Sequence, residues 1–530
     1  MQTRHNVLYD ALLSFRQAST GALCKVTLPQ LFAAMARDEV RDFPALRPHQ
    51  RHPWHAFLVQ VAAIALHRAN REEPFENAAA WREGLLALTP DQPDGAAWSL
   101  VSLLDQPALL QPPVPEASLT GWKSIPTPDA LDMLVTSKNH DLKGERMRGA
   151  SPEDWLLALL SLQTQEGFLG AGNYGISRMN GGFASRPGLG VLPQGCWGKR
   201  WQRDVLVLLA ERESILANEE MAAQAGHVLL WLLPWDGTSS IGFASLDPLY
   251  VEICRRVRLI QHDGQMTALG IGSKKARVEA KERNGRTGDA WTPIDVSGGK
   301  ALTITGDGFD YKRMSDLLFE DSTYLKPVAL RVRRDDGQTG LHVIAQSITR
   351  GQGKTEGYHE RRVFISPKTA GFLSRGTTDV PARLAEARIE SIGALRKLLW
   401  GAVCVLLRNG DGDDASDPQK ARAGRYARRF ELAEDARFFD DLAQAIEAEE
   451  SERAEIFDNW LKACFERAEA ILRDAFPTVP RSGIQRYRAQ AAALRYLHGR
   501  VRGPKSPLPA LRDLLAQRPD QQETEASDVS

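Results

Sequence analysis

From Ala382 to Leu515 nearly every segment spaces its apolar residues for helices, whereas Ser245 to about Phe364 breaks into short strand-like runs. A chain that changes its hydrophobic period in this way must bury its apolar faces in two different arrangements. The helical stretch reads as Arg383–Arg408, Ala421–Ala448, Glu452–Phe476 and Ile484–Val501. Short joints between four helices imply an antiparallel bundle. The strand-like runs are VEICRRVRLI, KALTIT, PVALRVRR, LHVIAQSI and RRVFIS, parted by Gly, Asp and Asn.

Upstream, Trp54 to Asn70 carries apolar residues at helical spacing and reads as a buried helix. Ser151 caps another helix, with Pro152 at the first position and two acids in the first turn; it runs to about Gln165 and stops at Gly167. Gln202 to Leu233 reads as a third. The first 40 residues lack a sustained helical period, and the Pro-rich passage from Pro107 to Pro128 reads as a surface loop or crossing segment. No repeat of 20–50 residues is visible. The expected fold class is α+β: a mixed helical and β N-terminal body with Gly-rich loops over 1–380, a C-terminal four-helix bundle over 381–515, and a polar, acidic, disordered tail over 516–530.

Composition excludes several function classes. The 530 residues include 67 basic and 67 acidic side chains, so any nucleic-acid binding must come from local patches and not from global charge. Cys24, Cys196, Cys254, Cys404 and Cys464 lie far apart without a CxxC, which excludes a cysteine zinc knuckle and argues against a disulfide framework. A reducing cytoplasm is the expected setting. No apolar stretch is long enough for a membrane span, and the N-terminus lacks a signal-peptide core.

Four motifs suggest chemistry and fall short of it. Gly170-Ala171-Gly172-Asn173-Tyr174-Gly175 matches GxGxxG, but the dinucleotide site needs a strand before it and a helix after it. Here a helix precedes and a Gly/Asn/Ser-rich loop follows, leaving a tightly turning surface loop or a backbone-lined binding loop. Gly351-Gln352-Gly353-Lys354-Thr355 ends like a Walker A motif, but Ile348 stands where the first Gly belongs and a strand follows where a helix is required. A hairpin is expected there. Asn409 to Lys420 lacks the Gly and the final carboxylate of an EF-hand. His140-Asp141 has no second cluster to converge with.

Three basic segments on loops remain. Lys274 to Arg286 holds Lys274, Lys275, Arg277, Lys281, Arg283 and Arg286; Arg350 to Arg362 presents Arg350, Gln352, Lys354, His359, Arg361 and Arg362. Arg481 to Lys505 has seven basic residues and no acid, with Tyr487 and Tyr496 interleaved. Each could be a solvated face. Together with the ten glycines between Gly167 and Gly198 they favour phosphate contacts and close backbone approach to a nucleic acid.

At these residues the chain resembles the CasA family, large subunits of the type I-E CRISPR surveillance complex Cascade. The resemblance rests on the order of features: a helix running into a Gly-rich loop (Gln163 to Gly172), a lysine-bearing loop around Ser273-Lys274-Lys275, a hairpin from Thr349 to Arg362, and a closing helical bundle. It implies a subunit without catalysis or cofactor that reads the protospacer-adjacent motif of double-stranded DNA from the minor groove. Pairing with the guide RNA then reads the rest of the sequence.

Carried over, Gly167, Gly170 and Gly172 form the backbone-approach loop, and Lys274 or Lys275 is the groove lysine. Gln352 is the wedge that starts strand separation, with Arg350 and Lys354 beside it. Asn139, Lys143, Arg146 and Arg148 lie in a flexible contact loop. The implied partners are crRNA-containing Cascade subunits, small subunits on the bundle, and a helicase–nuclease recruited after R-loop formation. Relatives with a cysteine cluster before the lysine loop hold zinc; this chain has only Cys254 there, so no metal is implied. Asn173-Tyr174 is an insertion in the Gly loop. The rival reading is a stand-alone nucleic-acid-binding or toxin–antitoxin-type scaffold, and the distant one a P-loop-like NTPase.

Overall fold

The computed structural model describes residues 4–133, 149–179, 181–182, 185–222, 225–320, 322–336, 340–351, 354–409, 414–479 and 483–516. They form a mixed helix and sheet structure that divides into two compact units. One comprises Met1–Phe309 and Asp321–Pro367, the other Asp310–Glu320 and Lys368–Ser530. Among the described residues no helix is long and apolar enough to cross a membrane.

The first unit is built around the Arg51–Arg68 helix, buried on every side from His52 to Leu66. A helix that is apolar all round belongs in a core. Trp81, Trp98, Trp155, Trp201 and Trp231 are all fully buried in the same core, and Trp201 Nε1 donates to Leu58 O on the central helix at 3.1 Å. Two of its buried polar side chains find partners: Gln60 Nε2 donates to Tyr250 O at 2.8 Å, and His55 Nε2 lies 2.8 Å from Asp204 Oδ2. The Pro152–Gln165 helix starts as its sequence predicts, on a capping box between Ser151 and Asp154.

Two antiparallel sheets carry the loops of interest. In one, Leu341–Gly351 lies between Lys354–Ile365 and Gly188–Leu192. The first two strands form the expected hairpin, paired as far as Gly351 opposite Lys354, with a bulge after Thr349. In the other, Arg256–His262 and Gln265–Ile271 pair, and Lys123–Ile125 adds a third strand. Asp263 and Gly264, both at positive φ, make the two-residue turn, as right-handed strand twist favours.

Several expectations are corrected. Gly188–Leu192 is a strand within the glycine-rich stretch from Gly167 to Gly198, where the sequence offers few alternating apolar residues and reads as a long irregular loop. The helix expected from Gln202 to Leu233 spans Trp197–Glu219 and ends where Glu220 turns to φ +54°; His227–Leu229 is a strand and Leu230–Leu232 a 3-10 turn. PVALRVRR is no strand: Val328–Leu330 is a 3-10 turn, and Arg203 donates to the carbonyls of Ala329 and Arg331 that a ladder would have used. Of KALTIT only Lys300–Ala301 pairs. The Pro-rich passage is partly core, since Gln111 to Val114 are buried.

In the second unit the Asp379–Leu407 helix is the long central member, joined by Asp417–Asp435, Phe438–Glu447, Arg453–Asp474, Ile484–Arg502 and Pro509–Ala516. The expected Ala421–Ala448 helix is therefore two. It breaks after Asp435, whose carboxylate accepts from Tyr311 N at 2.6 Å, while Phe438 packs on the Tyr311 ring at 4.9 Å. Tyr311–Phe319 is itself a helix, in a region read as β. Gly401 lets the Ile484–Arg502 helix approach closely, since a Cβ there would sit 2.6 Å from Tyr496 Oη. Arg467 grips buried Glu434 with two bonds of 2.6 and 2.7 Å.

Candidate nucleic-acid interface

The glycine loop leaves the Pro152–Gln165 helix and folds back on itself. Asn173 N donates to Gly170 O at 3.0 Å and Leu169 N to Asn173 O at 2.9 Å. Gly170 and Gly172 hold φ of +111° and +86°, the region that favours glycine. At the base, Ile176 N reaches Glu166 O at 3.0 Å, and the Gly167 and Gly175 backbones touch: a Cβ on Gly175 would lie 2.5 Å from Gly167 C. The loop is thus a closed, hydrogen-bonded structure.

Its anchor is Gln163, buried at the helix end. Gln163 Oε1 accepts from the N–H groups of Cys254 and Arg255 at 2.9 and 2.8 Å, and its Nε2 donates to the carbonyls of Leu110 and Arg255, both at 2.9 Å. All the hydrogen-bonding capacity of one amide is used. Arg255 Nη2 continues to Gly167 O at 3.1 Å.

The lysine loop follows the Gln265–Ile271 strand and meets the glycine loop directly. Ser273 N donates to Gly172 O at 3.0 Å, and Tyr174 Oη donates to Lys274 O at 3.0 Å. A Cβ on Gly272 would stand 3.2 Å from Gly172 O, so the bare backbones set the spacing. Gly237 O accepts from both Lys274 N and Lys275 N, at 2.7 and 3.1 Å. With their backbones held this way, both lysine side chains are exposed.

The hairpin joins through Arg350, whose buried guanidinium pairs with Glu166 at the end of the glycine-loop helix. Leu169, Ala171 and Gly172 of the first loop, Gly272 of the second and Arg350 of the hairpin all line one cleft of about 590 Å³. Gly167, Gly170, Gly172, Lys274, Lys275 and Arg350 therefore belong to one neighbourhood. Arg350 already has a carboxylate partner, so its charge is spent within the protein. Lys354 opens the returning strand opposite Gly351. Gln352, Asn139, Lys143, Arg146 and Arg148 lie outside the described residues.

The rest of the basic segments divide. Arg277 is buried and donates to the carbonyls of Leu230, Leu233 and Pro234. Arg283 pairs with Glu219 and covers Phe243, and Arg361 donates to Phe309 O at 3.0 Å. On the Ile484–Arg502 helix Arg488, Arg495, Arg500 and Arg502 are exposed, with Tyr487 72% exposed. Sequence reasoning took Gln163 and Glu166 only as part of the helix end before the glycine loop, with no role of their own, and missed Gly237 and Gly272. Only Gly272, next to the lysine pair, carried a local signal; the others act through tertiary contacts. Tyr174, read as part of an insertion, ties the two loops together with the Ser273–Gly172 backbone bond.

No protein-family model matches the sequence, nor does any curated protein. Solved structures do match the fold. CasA (Cse1) of Thermus thermophilus superposes with a TM-score of 0.64 at 14% identity, over 94% of this chain and 99% of that one. The CRISPR-associated protein Cse1 of Acidimicrobium ferrooxidans gives 0.66 at 12% identity, over 97% and 99%. Cse1 of Thermobifida fusca gives 0.65 at 14%, over 95% and 98%. The chain has the CasA/Cse1 fold along nearly its whole length.

Proposed function

We propose that this chain is the non-catalytic large subunit of an RNA-guided CRISPR surveillance complex of the Cascade type. In this reading it binds double-stranded DNA, recognises the protospacer-adjacent motif and starts strand separation. The observation that carries the reading is the meeting of glycine loop, lysine loop and hairpin at one cleft, within a CasA/Cse1 fold. Exposed lysines held by their backbones can reach a groove, and bare glycine backbone beside them admits a phosphate or base edge. Gln352, between the paired hairpin ends Gly351 and Lys354, is the wedge. The guide RNA reads sequence by pairing, and this chain reads only the short motif and duplex shape.

The partners in this reading are crRNA-containing subunits, small subunits along the C-terminal helices, and a helicase–nuclease recruited once the R-loop forms, all in the cytoplasm. The test is assembly followed by binding. The chain is expected to co-purify with a crRNA-containing complex and to confer duplex binding on it. Lys274→Ala with Lys275→Ala should weaken that binding and lower its salt slope by about one for each phosphate that the lysines neutralise. Duplex binding by the assembled complex that is unchanged in the double variant would refute the site.

A further inference from the structure

A second cleft, of about 1020 Å³, lies in the first unit against one face of the hairpin sheet. Its floor is set by strand alternation: His342, Ile344 and Gln346 share one face, and Arg362 pairs across from Ile344. Arg16 and Arg41 line it and share a single carboxylate, Asp42, at 3.5 and 2.9 Å. Arg51 and Arg362 share another, Glu360, at 3.5 and 3.0 Å. Four guanidiniums share these two carboxylates, and the nearby Asp38 carboxylate is itself taken up by Cys196 N at 3.1 Å and Lys199 N at 2.7 Å.

Arg200 is the more telling residue. Its side chain is 7% exposed, yet Nε and Nη2 make no hydrogen bond to any described residue. Asp204 Oδ2 lies 4.0 Å from Nε, while Asp204 already takes Arg203 at 2.8 Å and His55 at 2.8 Å. Burial first, then the neighbouring guanidiniums of Arg203 and Arg362, pull the Arg200 pKa down to about 10, against the pull of Asp204. Buried donors without acceptors are rare in native proteins, and those that occur call for an explanation. Trp197, one turn earlier on the same helix, lines the cleft with its Nε1 also lacking an acceptor among the described residues, and Phe43 holds its ring edge-on at 5.0 Å.

We propose that this cleft binds nucleotide phosphates, with two or more phosphate groups on the arginine pairs and Arg200, and a base against Trp197. Guanidinium forks match phosphate oxygens in pairs, and an aromatic face accepts any base, which is why the chemistry favours a nucleotide over an acidic peptide. The ligand is a free nucleoside diphosphate or a single strand, and either presents this chemistry.

The full chain is titrated into fluorescein-labelled hexauridylate at low salt and read by fluorescence anisotropy, with ADP as competitor. Arg41→Gln with Arg51→Gln is expected to raise Kd at least tenfold with an unchanged melting temperature. Arg200→Gln should do the same; if it fails to fold, the exposed pair decides alone. Displacement by ADP identifies a free nucleotide site, and hexauridylate binding that ADP cannot displace identifies a strand site. The proposal is overturned if neither probe binds, or if the arginine variant binds as tightly as the parent chain. It is overturned too if Lys274→Ala with Lys275→Ala abolishes hexauridylate binding while the arginine variant does not, an outcome that leaves the duplex-binding role standing.

Discussion

At the scale of single residues, the glycine loop depends on positions where a side chain has no room. Gly175 is the tightest: an added Cβ would meet Gly167 C at 2.5 Å and Phe168 N at 2.7 Å, both backbone atoms that cannot rotate away. Gly175→Ala is expected to cost about 1–3 kcal/mol, as overpacking does, and to loosen the loop that holds Ser273. Gly181→Ala, with open space around it but a strained φ of +77°, should cost about 1 kcal/mol through the backbone alone. Thermal melts of the two variants check the order, and equal shifts would mean that the Gly167–Gly175 contact is unimportant. The buried His55 adds a pH dependence. Burial, then the Arg200 charge, depress its pKa from 6.5 to about 4, so it is neutral at pH 7 and donates to ionised Asp204. A folded-state pKa below the unfolded value means that the unfolded chain binds the proton more readily. The stability is present above about 6.5 and is lost as pH falls towards 4. At about 1.4 kcal/mol per tenfold the loss approaches ~3 kcal/mol. His55→Gln keeps a donor and removes the titration, so chemical denaturation at pH 7.5 and 4.5 should show a smaller acid loss in the variant.

At the scale of elements, the hairpin is tied to the glycine loop by the buried Arg350–Glu166 pair. Removing one partner of such a pair strands the other charge, at about 3–5 kcal/mol, whereas replacing both with apolar residues is often neutral. Glu166→Ala is therefore expected to destabilise the protein strongly, and Glu166→Met with Arg350→Met to recover most of the loss, as urea midpoints would show. A double variant no better than the single would mean that the pair has no net coupling. The same elements show what was legible in the sequence. The Ser151 cap, the helix end near Gln165 and the Thr349–Arg362 hairpin follow from local rules, and each is where those rules put it. Gly188–Leu192 was hidden because its glycines carry no side chain to mark a period of two. Gly188 is glycine because a Cβ would overlap the His52 ring at 2.2 Å. PVALRVRR has the residue types of a strand but is none, because Arg203, 126 residues away from Ala329, takes its carbonyls, which no local pattern could show. For the site, the types and order of the loops were legible, but their closure through Gln163, Tyr174 and Gly237 was not.

At the scale of the whole molecule, the second unit is discontinuous in sequence. Its Tyr311–Phe319 helix comes from inside the strand-patterned stretch, begins on Asp310 as N-cap, and buries Tyr311, Met314, Leu317 and Leu318. Apolar positions at i, i+3, i+6 and i+7 are helical spacing, and the stretch was too short to stand out among strands. Tyr311 N to Asp435, Lys312 Nζ to Glu431 at 2.7 Å, and the Tyr311 ring to Phe438 are among the contacts that attach this helix within its unit. A fragment beginning at Lys368 would keep every other helix of the unit but lose these four apolar side chains. Full burial of each is worth about 1.5–3 kcal/mol as an upper bound, offset by the entropy of ordering nine residues. Residues 368–530 alone are therefore expected to unfold at a lower urea concentration than the same fragment with residues 310–320 fused through a flexible Gly/Ser linker. Tyr311→Ala in the fused form should bring the midpoint back towards that of the bare fragment. Coincident midpoints for the bare and fused forms would show that the C-terminal helices form a self-sufficient unit and that the inserted helix only rests on it.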